Sequence, residues 1–218
     1  MAVSESTARR YELQDPDVRL MLAVRDDSAA AFDKLMVRYQ DRLVTVLEHL
    51  TGRRHRAEDL AQEVVLRVYR ARKRFVPGAK FSTWLYTIAN NVASIALRSL
   101  ARRPEVNLRS QGSGAYGAPG LDHLAKAASG QMPTRQLDKA ELRDVVQTAL
   151  AGLNERQRMA VLLCKFEEMS YTDIAETMQM SPQAVKSLLA RARDNLRCAL
   201  EPYLAAGARP GTAGGGED

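Results

Sequence analysis

The stretch SYTDIAETMQMSPQAVKSLLARARDNLRCAL, residues 170–200, marks two helix starts eleven positions apart, and few folds satisfy that spacing. Ser170 with Asp173 three residues on is a capping-box arrangement, in which the hydroxyl accepts from the N3 amide and the N3 side chain accepts from the cap amide. Ser181 followed by Pro182 is an N-cap with proline at the first helical position. Only a short turn at Gln179 and Met180 lies between the helices. Ile174, Ala175, Met178, Val185, Leu189 and Leu196 form the inward face, and Ala175 is small where two helices must approach closely. These features fit a helix-turn-helix. Its second helix offers Gln183, Ala184, Lys186, Ser187, Ala190 and Arg191 to a major groove and its flanking phosphates. An ordinary helical hairpin with a basic face is the plainer alternative.

The rest of the chain follows the same period. In AAAFDKLMVRYQDRLVTVLEHLTG, residues Phe32, Leu35, Met36, Tyr39, Leu43, Val46, Leu47 and Leu50 share one face and Gly52 is a stop. RAEDLAQEVVLRVYRARKRF places Glu58, Asp59 and Glu63 early and Arg70, Arg72, Lys73 and Arg74 late, the order that complements a helix dipole, before Pro77 and Gly78 break it. A third helix runs from about Ser82 to Arg103, with Trp84, Leu85, Ile88, Val92 and Ile95 at helical spacing and Pro104 as its end. No Val/Ile/Thr run alternates with period two. The expected fold is therefore all-α: two small helical domains joined by a flexible linker, the C-terminal one a helix-turn-helix. Residues 1–27 read as an N-terminal extension, 28–104 as the first domain, the Gly/Ser/Ala/Pro-rich 105–135 as linker, 136–204 as the second domain and 205–218 as a disordered tail.

The formal charge is +6, and its placement says more than its size. From Arg53 to Arg103, twelve bases face only Glu58, Asp59 and Glu63, an imbalance suited to a phosphate backbone, although a solvated basic helix face would show it too. Cys164 and Cys198 are too few for a disulfide scaffold, and Cys164 in MAVLLCKF reads as a small buried hydrophobe. His49, His55 and His123 do not combine with them at a metal-ligand spacing, so neither metal nor cofactor is expected. No apolar run approaches a membrane span and the N-terminus has no signal-like core, which points to a cytoplasmic protein without membrane insertion.

The segments RAEDLAQEVVLRVYRAR, KFSTWLYTIANNVA and LNERQRMAVLLCKFEEMSYTDIAETMQMSPQAVKSLLARAR, in this order, closely resemble bacterial RNA polymerase sigma factors of the extracytoplasmic-function group. The resemblance covers nearly all of residues 28–200. It implies a subunit, not an enzyme, that binds core RNA polymerase, recognises the minus-35 promoter element with its C-terminal domain and helps open the minus-10 element with its N-terminal one; an anti-sigma factor is a candidate further partner. Residue by residue, it implies that Asp59, Gln62 and Glu63 meet a basic coiled coil of the polymerase. FVPGAK then resembles a loop that captures a flipped base, and FSTWLYTIANNV the helix behind it. The candidates for minus-10 DNA are Val76, Lys80, Phe81, Ser82, Thr83, Tyr86, Asn90, Asn91 and Arg98, with Trp84 anchoring the helix. Departures are Leu188 where the family often has arginine, Glu168 where it often has glycine and Asn154 where it often has proline. A stand-alone helix-turn-helix regulator would explain the second domain but not the acidic helix or FSTWLY. An enzyme acting on nucleic acid would need an acid-base or metal cluster that the sequence does not display.

Overall fold

The computed structural model describes residues 5–102 and 144–207, and no strand occurs among them. The linker read over 105–135 and the tail beyond 207 lie outside the described residues. Helices α1 (Glu5–Gln14), α2 (Pro16–Arg25), α3 (Ala29–Thr51), α4 (Arg54–Ala71) and α5 (Phe81–Arg102) make up the first group, with a 3₁₀ turn over Arg72–Arg74. The second group holds α6, described over 144–151, then α7 (Glu155–Lys165), α8 (Tyr171–Met178) and α9 (Pro182–Gly207).

The helix starts follow from local chemistry. Ser28 Oγ accepts from the Ala31 amide at the head of α3, and Gly52 ends that helix at φ 71°, a left-handed position where any other residue would strain. Asn154 and Gln157 form a reciprocal capping box on α7, as Ser170 and Asp173 do on α8. Each such cap contributes about 1 kcal/mol. Asp15 serves two helices. Its Oδ1 accepts from the Asp17 amide at the start of α2, while its Oδ2 accepts from the Phe81 amide, 2.9 Å away, at the start of α5.

That bridge makes α2 structural. Val18, Met21 and Val24 are buried with Leu35, Leu43, Leu47, Val64 and Val68, so part of the segment read as an extension completes the first core. Asp17 also accepts from Tyr39 Oη at 2.7 Å and pairs with Arg38, fastening α2 to α3. Desolvation, reinforced by the neighbouring Asp17 carboxylate, pushes the Tyr39 phenol well above its usual range. Of the apolar row predicted on α5, Leu85 and Val92 are buried, Trp84 and Ile88 are half-buried and Ile95 is exposed, because the helix buries Phe81, Tyr86, Ala89 and Ala93 as well. Cys164 is half-buried rather than buried, and both cysteines are free thiols.

The second group does not stand apart. Helix α8 lies on α5 and α7 packs against α3, so that one apolar cluster runs from Val18 to Ala192.

Candidate nucleic-acid interface

The recognition-helix candidates form a free surface. Helix α9 begins at Pro182, with Ser181 Oγ accepting from the Ala184 amide at 3.2 Å. Val185, Leu189 and Ala192 are buried beneath it, which turns Gln183, Lys186, Ala190 and Arg191 to solvent, with Ala184 and Ser187 at the margin. Leu188 is half-buried and packs against the core, which is why an apolar residue is tolerated there. The turn into this helix is left-handed at Gln179, φ 53°, and the Met180 amide reaches back to the Ala175 carbonyl at 2.9 Å. Arg193 donates to Tyr171 Oη at 2.6 Å, holding α9 against α8.

The acidic helix presents a second face. Asp59 and Gln62 are exposed on α4, and Glu63 is half-buried with Arg67 Nε 2.7 Å away. Leu66, 48% exposed, follows on the same side within about one helical turn. Its pairing with Gln62 and Glu63 could have been read from the sequence by extending the acidic face one turn.

The loop and helix of FVPGAKFSTWLY divide. Val76 is 56% exposed, Asn91 and Arg98 are exposed, and Ser82 and Asn90 are half-buried. Three residues expected at DNA are inside. Phe81 has no exposed surface and packs edge-on to Tyr39, with ring centroids 5.1 Å apart, and beside Trp84. Thr83 and Tyr86 are equally enclosed; Thr83 Oγ1 has no hydrogen-bond partner, while burial, reinforced by the neighbouring Glu167 carboxylate, pushes the Tyr86 phenol well above its usual range. Trp84, expected as the anchor, is half-buried, packs against the core and meets Phe75 edge-on at 5.0 Å. Phe81 is thus the more deeply buried of the two: the first residue of α5 points into the core under the Asp15 cap, and the fourth packs along its edge.

The basic segment is partly committed to internal pairs. Arg54 bonds Glu48 and Glu58, Arg67 bonds Glu63, and Arg72 and Lys73 both hold Asp27, whose carboxyl lies below its usual range through the Lys73 and Arg72 hydrogen bonds. Lys80 Nζ lies 3.0 Å from Asp173 Oδ2. Burial raises the Asp173 pKa, but the Ser170 and Lys80 hydrogen bonds outweigh it and the carboxyl sits low. Among the described residues no cluster of histidine, cysteine, aspartate or glutamate could hold a metal ion. No described helix is long and apolar enough to cross a membrane.

A capped helix-turn-helix with a free basic face, joined to a helical domain that carries an acidic face and an aromatic loop, is the architecture of a DNA-binding protein. Comparison with known proteins agrees. The Sigma-70 region 2 family matches residues 35–103 and the Sigma-70, region 4 family matches 143–196. The RNA polymerase sigma-H factor of Pseudomonas aeruginosa is 32% identical over 192 residues, 88% of this chain and 97% of the relative. The ECF RNA polymerase sigma factor SigW of Bacillus subtilis is 29% identical over 174 residues, 80% and 91% of the two chains. Among solved structures, CnrH in complex with the cytosolic domain of CnrY superposes with a TM-score of 0.61 at 20% identity, over 86% of this chain and 99% of that one. The sigma factor RpoE of Bartonella quintana, in complex with the anti-sigma factor NepR, gives 0.60 at 23%, over 78% and 96%. The chain belongs to the sigma-70 family of RNA polymerase sigma factors, in its extracytoplasmic-function group, and acts in transcription initiation.

Proposed function

We propose that this sigma factor binds core RNA polymerase through Asp59, Gln62, Glu63 and Leu66, reads the minus-35 element with the first turns of α9 and captures minus-10 DNA with the 76–80 loop and the exposed edge of α5. The carrying observation is the face of α9: four solvent-facing residues over three buried ones, at the end of a helix whose first turn is capped by Ser181. Gln183 and Ser187 lie one turn apart near the helix N-terminus, where base edges are reached. Lys186 and Arg191 are about 140° apart around the helix and suit phosphates on either side of the groove.

On the minus-10 side the assignment falls on Val76, Lys80, Ser82, Asn90, Asn91 and Arg98. Half-buried Trp84 adds an aromatic edge on which an unstacked base could lie. Phe81 supports this surface from below. The co-crystal structure of the sigma factor RpoE with the anti-sigma factor NepR extends the proposal to an anti-sigma partner for this chain.

Replacing residues 76–80 with the loop of a related factor, in holoenzyme transcribing a randomised promoter library, shifts the accepted minus-10 bases and leaves the minus-35 preference intact. Gln183→Ala shifts one or two minus-35 positions instead. Unchanged preference in both variants would overturn the assignment.

A further inference from the structure

Helix α2 reaches both ends of the loop that the proposed function places at minus-10 DNA. At the loop's exit, Asp15 Oδ2, just before α2, accepts from the Phe81 amide at 2.9 Å. Lys80, the residue before α5, has no acceptor in its side chain, so α5 borrows its cap from a residue 66 positions earlier. At the loop's entry, just after α2, Asp27 Oδ1 accepts from Arg72 Nη2 at 3.1 Å and Asp27 Oδ2 from Lys73 Nζ at 2.5 Å. Lys73 Nζ also donates to the Arg25 carbonyl at 2.8 Å, and the Arg72 guanidinium lies 4.0 Å from the Tyr69 ring centroid. Between the two anchors Phe75 and Pro77 are buried, while Val76 and Lys80 face outward.

The entry anchor is not explained by stability. Asp27 stands at φ 68°, where glycine is the residue that fits without strain. The Asp27 and Ser28 amides close the end of α2 on the Val24 and Ala23 carbonyls, both at 3.0 Å, so the backbone fixes that conformation whatever the side chain. The Asp27 side chain is 61% exposed, and ion pairs this open add little to stability. What an aspartate adds over glycine is a grip on the 3₁₀ turn that leads into the loop.

We infer that α2 is a brace for the 75–80 loop, with Asp15 and Asp27 as positioning residues that fix its two ends and so pre-form it for an unstacked base. The part about the base rests on the minus-10 reading proposed above; the brace itself does not. Ten helical residues separate the anchors by about 15 Å, a span set by a rigid element rather than by the loop. A loop with free ends loses conformational entropy when it closes on a base, whereas a braced loop has already lost it on folding. Both carboxylates therefore act on DNA through Val76 and Lys80 without touching it.

The test uses holoenzyme assembled with the full chain, a labelled single-stranded oligonucleotide carrying the minus-10 sequence selected from the promoter library, and the same oligonucleotide with one base changed. Asp27→Gly releases Arg72 and Lys73 and suits the backbone. Asp15→Ser keeps one acceptor for the Asp17 amide and none for Phe81. Each variant lowers affinity for the matched oligonucleotide by about threefold or more and flattens discrimination against the changed base, and the two together reach about tenfold. Asp27→Asn, which tolerates the left-handed backbone and keeps an acceptor, recovers part of the loss. The unfolding midpoint of Asp27→Gly does not fall and minus-35 duplex affinity is unchanged, an outcome that a merely structural role would not give. In the full chain without polymerase, amide exchange at Phe81, followed by NMR, accelerates about tenfold in Asp15→Ser. Parent-like affinity and discrimination in both variants overturn the inference, as does a loss matched by equal losses in minus-35 duplex or core-polymerase binding. Unchanged exchange at Phe81 overturns the brace whatever the DNA results. A parent holoenzyme that shows no base preference on the oligonucleotide defeats the minus-10 reading instead, and the exchange at Phe81 then decides the brace alone.

Discussion

Phe81 is the residue at which sequence and structure give opposite instructions, and its substitution separates them. A side chain waiting for a flipped base is exposed and costs under about 0.5 kcal/mol to change. Phe81 instead has no exposed surface, meets Tyr39 edge-on at 5.1 Å and lies 6.1 Å from Trp84. Phe81→Ala would cost about 3–5 kcal/mol, enough to unfold a marginal domain, so the informative variant is Phe81→Leu. Leucine keeps most of the volume but loses the two aromatic contacts, each worth about 0.5–1.5 kcal/mol. With partial repacking, the loss is about 1–2 kcal/mol. Urea titration followed by far-UV circular dichroism reads it as a lower midpoint with the slope unchanged. Trp84, the single tryptophan, sits beside the altered ring and gives an independent fluorescence transition. A change below about 0.3 kcal/mol, with promoter opening abolished, would refute the core placement.

Other outcomes follow from the same geometry. Asp59→Lys with Glu63→Lys weakens binding to core polymerase in a pull-down or anisotropy titration while thermal unfolding moves little, since both side chains are at the surface. Lys186→Ala lowers promoter affinity for matched and mismatched minus-35 elements alike and reduces the salt dependence by about one counterion. Burial against Phe166 holds the His49 pKa below 6.5, so the neutral ring is the form that packs there. Stability from that ring is complete above pH 6.5 and is lost as pH falls through the depressed value, and His49→Phe removes this slope from the pH dependence of unfolding.

Much of the fold was legible because its signals are local. Caps at Ser28, Asn154, Ser170 and Ser181 act within three residues, and the left-handed stop at Gly52 needs no distant partner. The exposed face of α9 follows from periodicity once Val185 and Leu189 are inside. Helix α2 was harder, although Asp15 followed by Pro16 is a start signal, because ten residues give little periodicity to read. The orientation of Phe81 was not legible at all. It depends on a cap from Asp15, 66 positions earlier, which sets where α5 begins. The contacts of Arg42, Ser94 and Arg158 are equally silent in sequence, since each is an ordinary surface residue until the second domain arrives.

Reconstitution with core polymerase on a library randomised across both promoter elements tests the central claim most directly. Transcripts are expected only when polymerase and this chain are both present, from templates sharing a minus-35 and a minus-10 motif at fixed separation. Sequence-specific duplex binding by the chain alone, with no transcripts from any template, would contradict it.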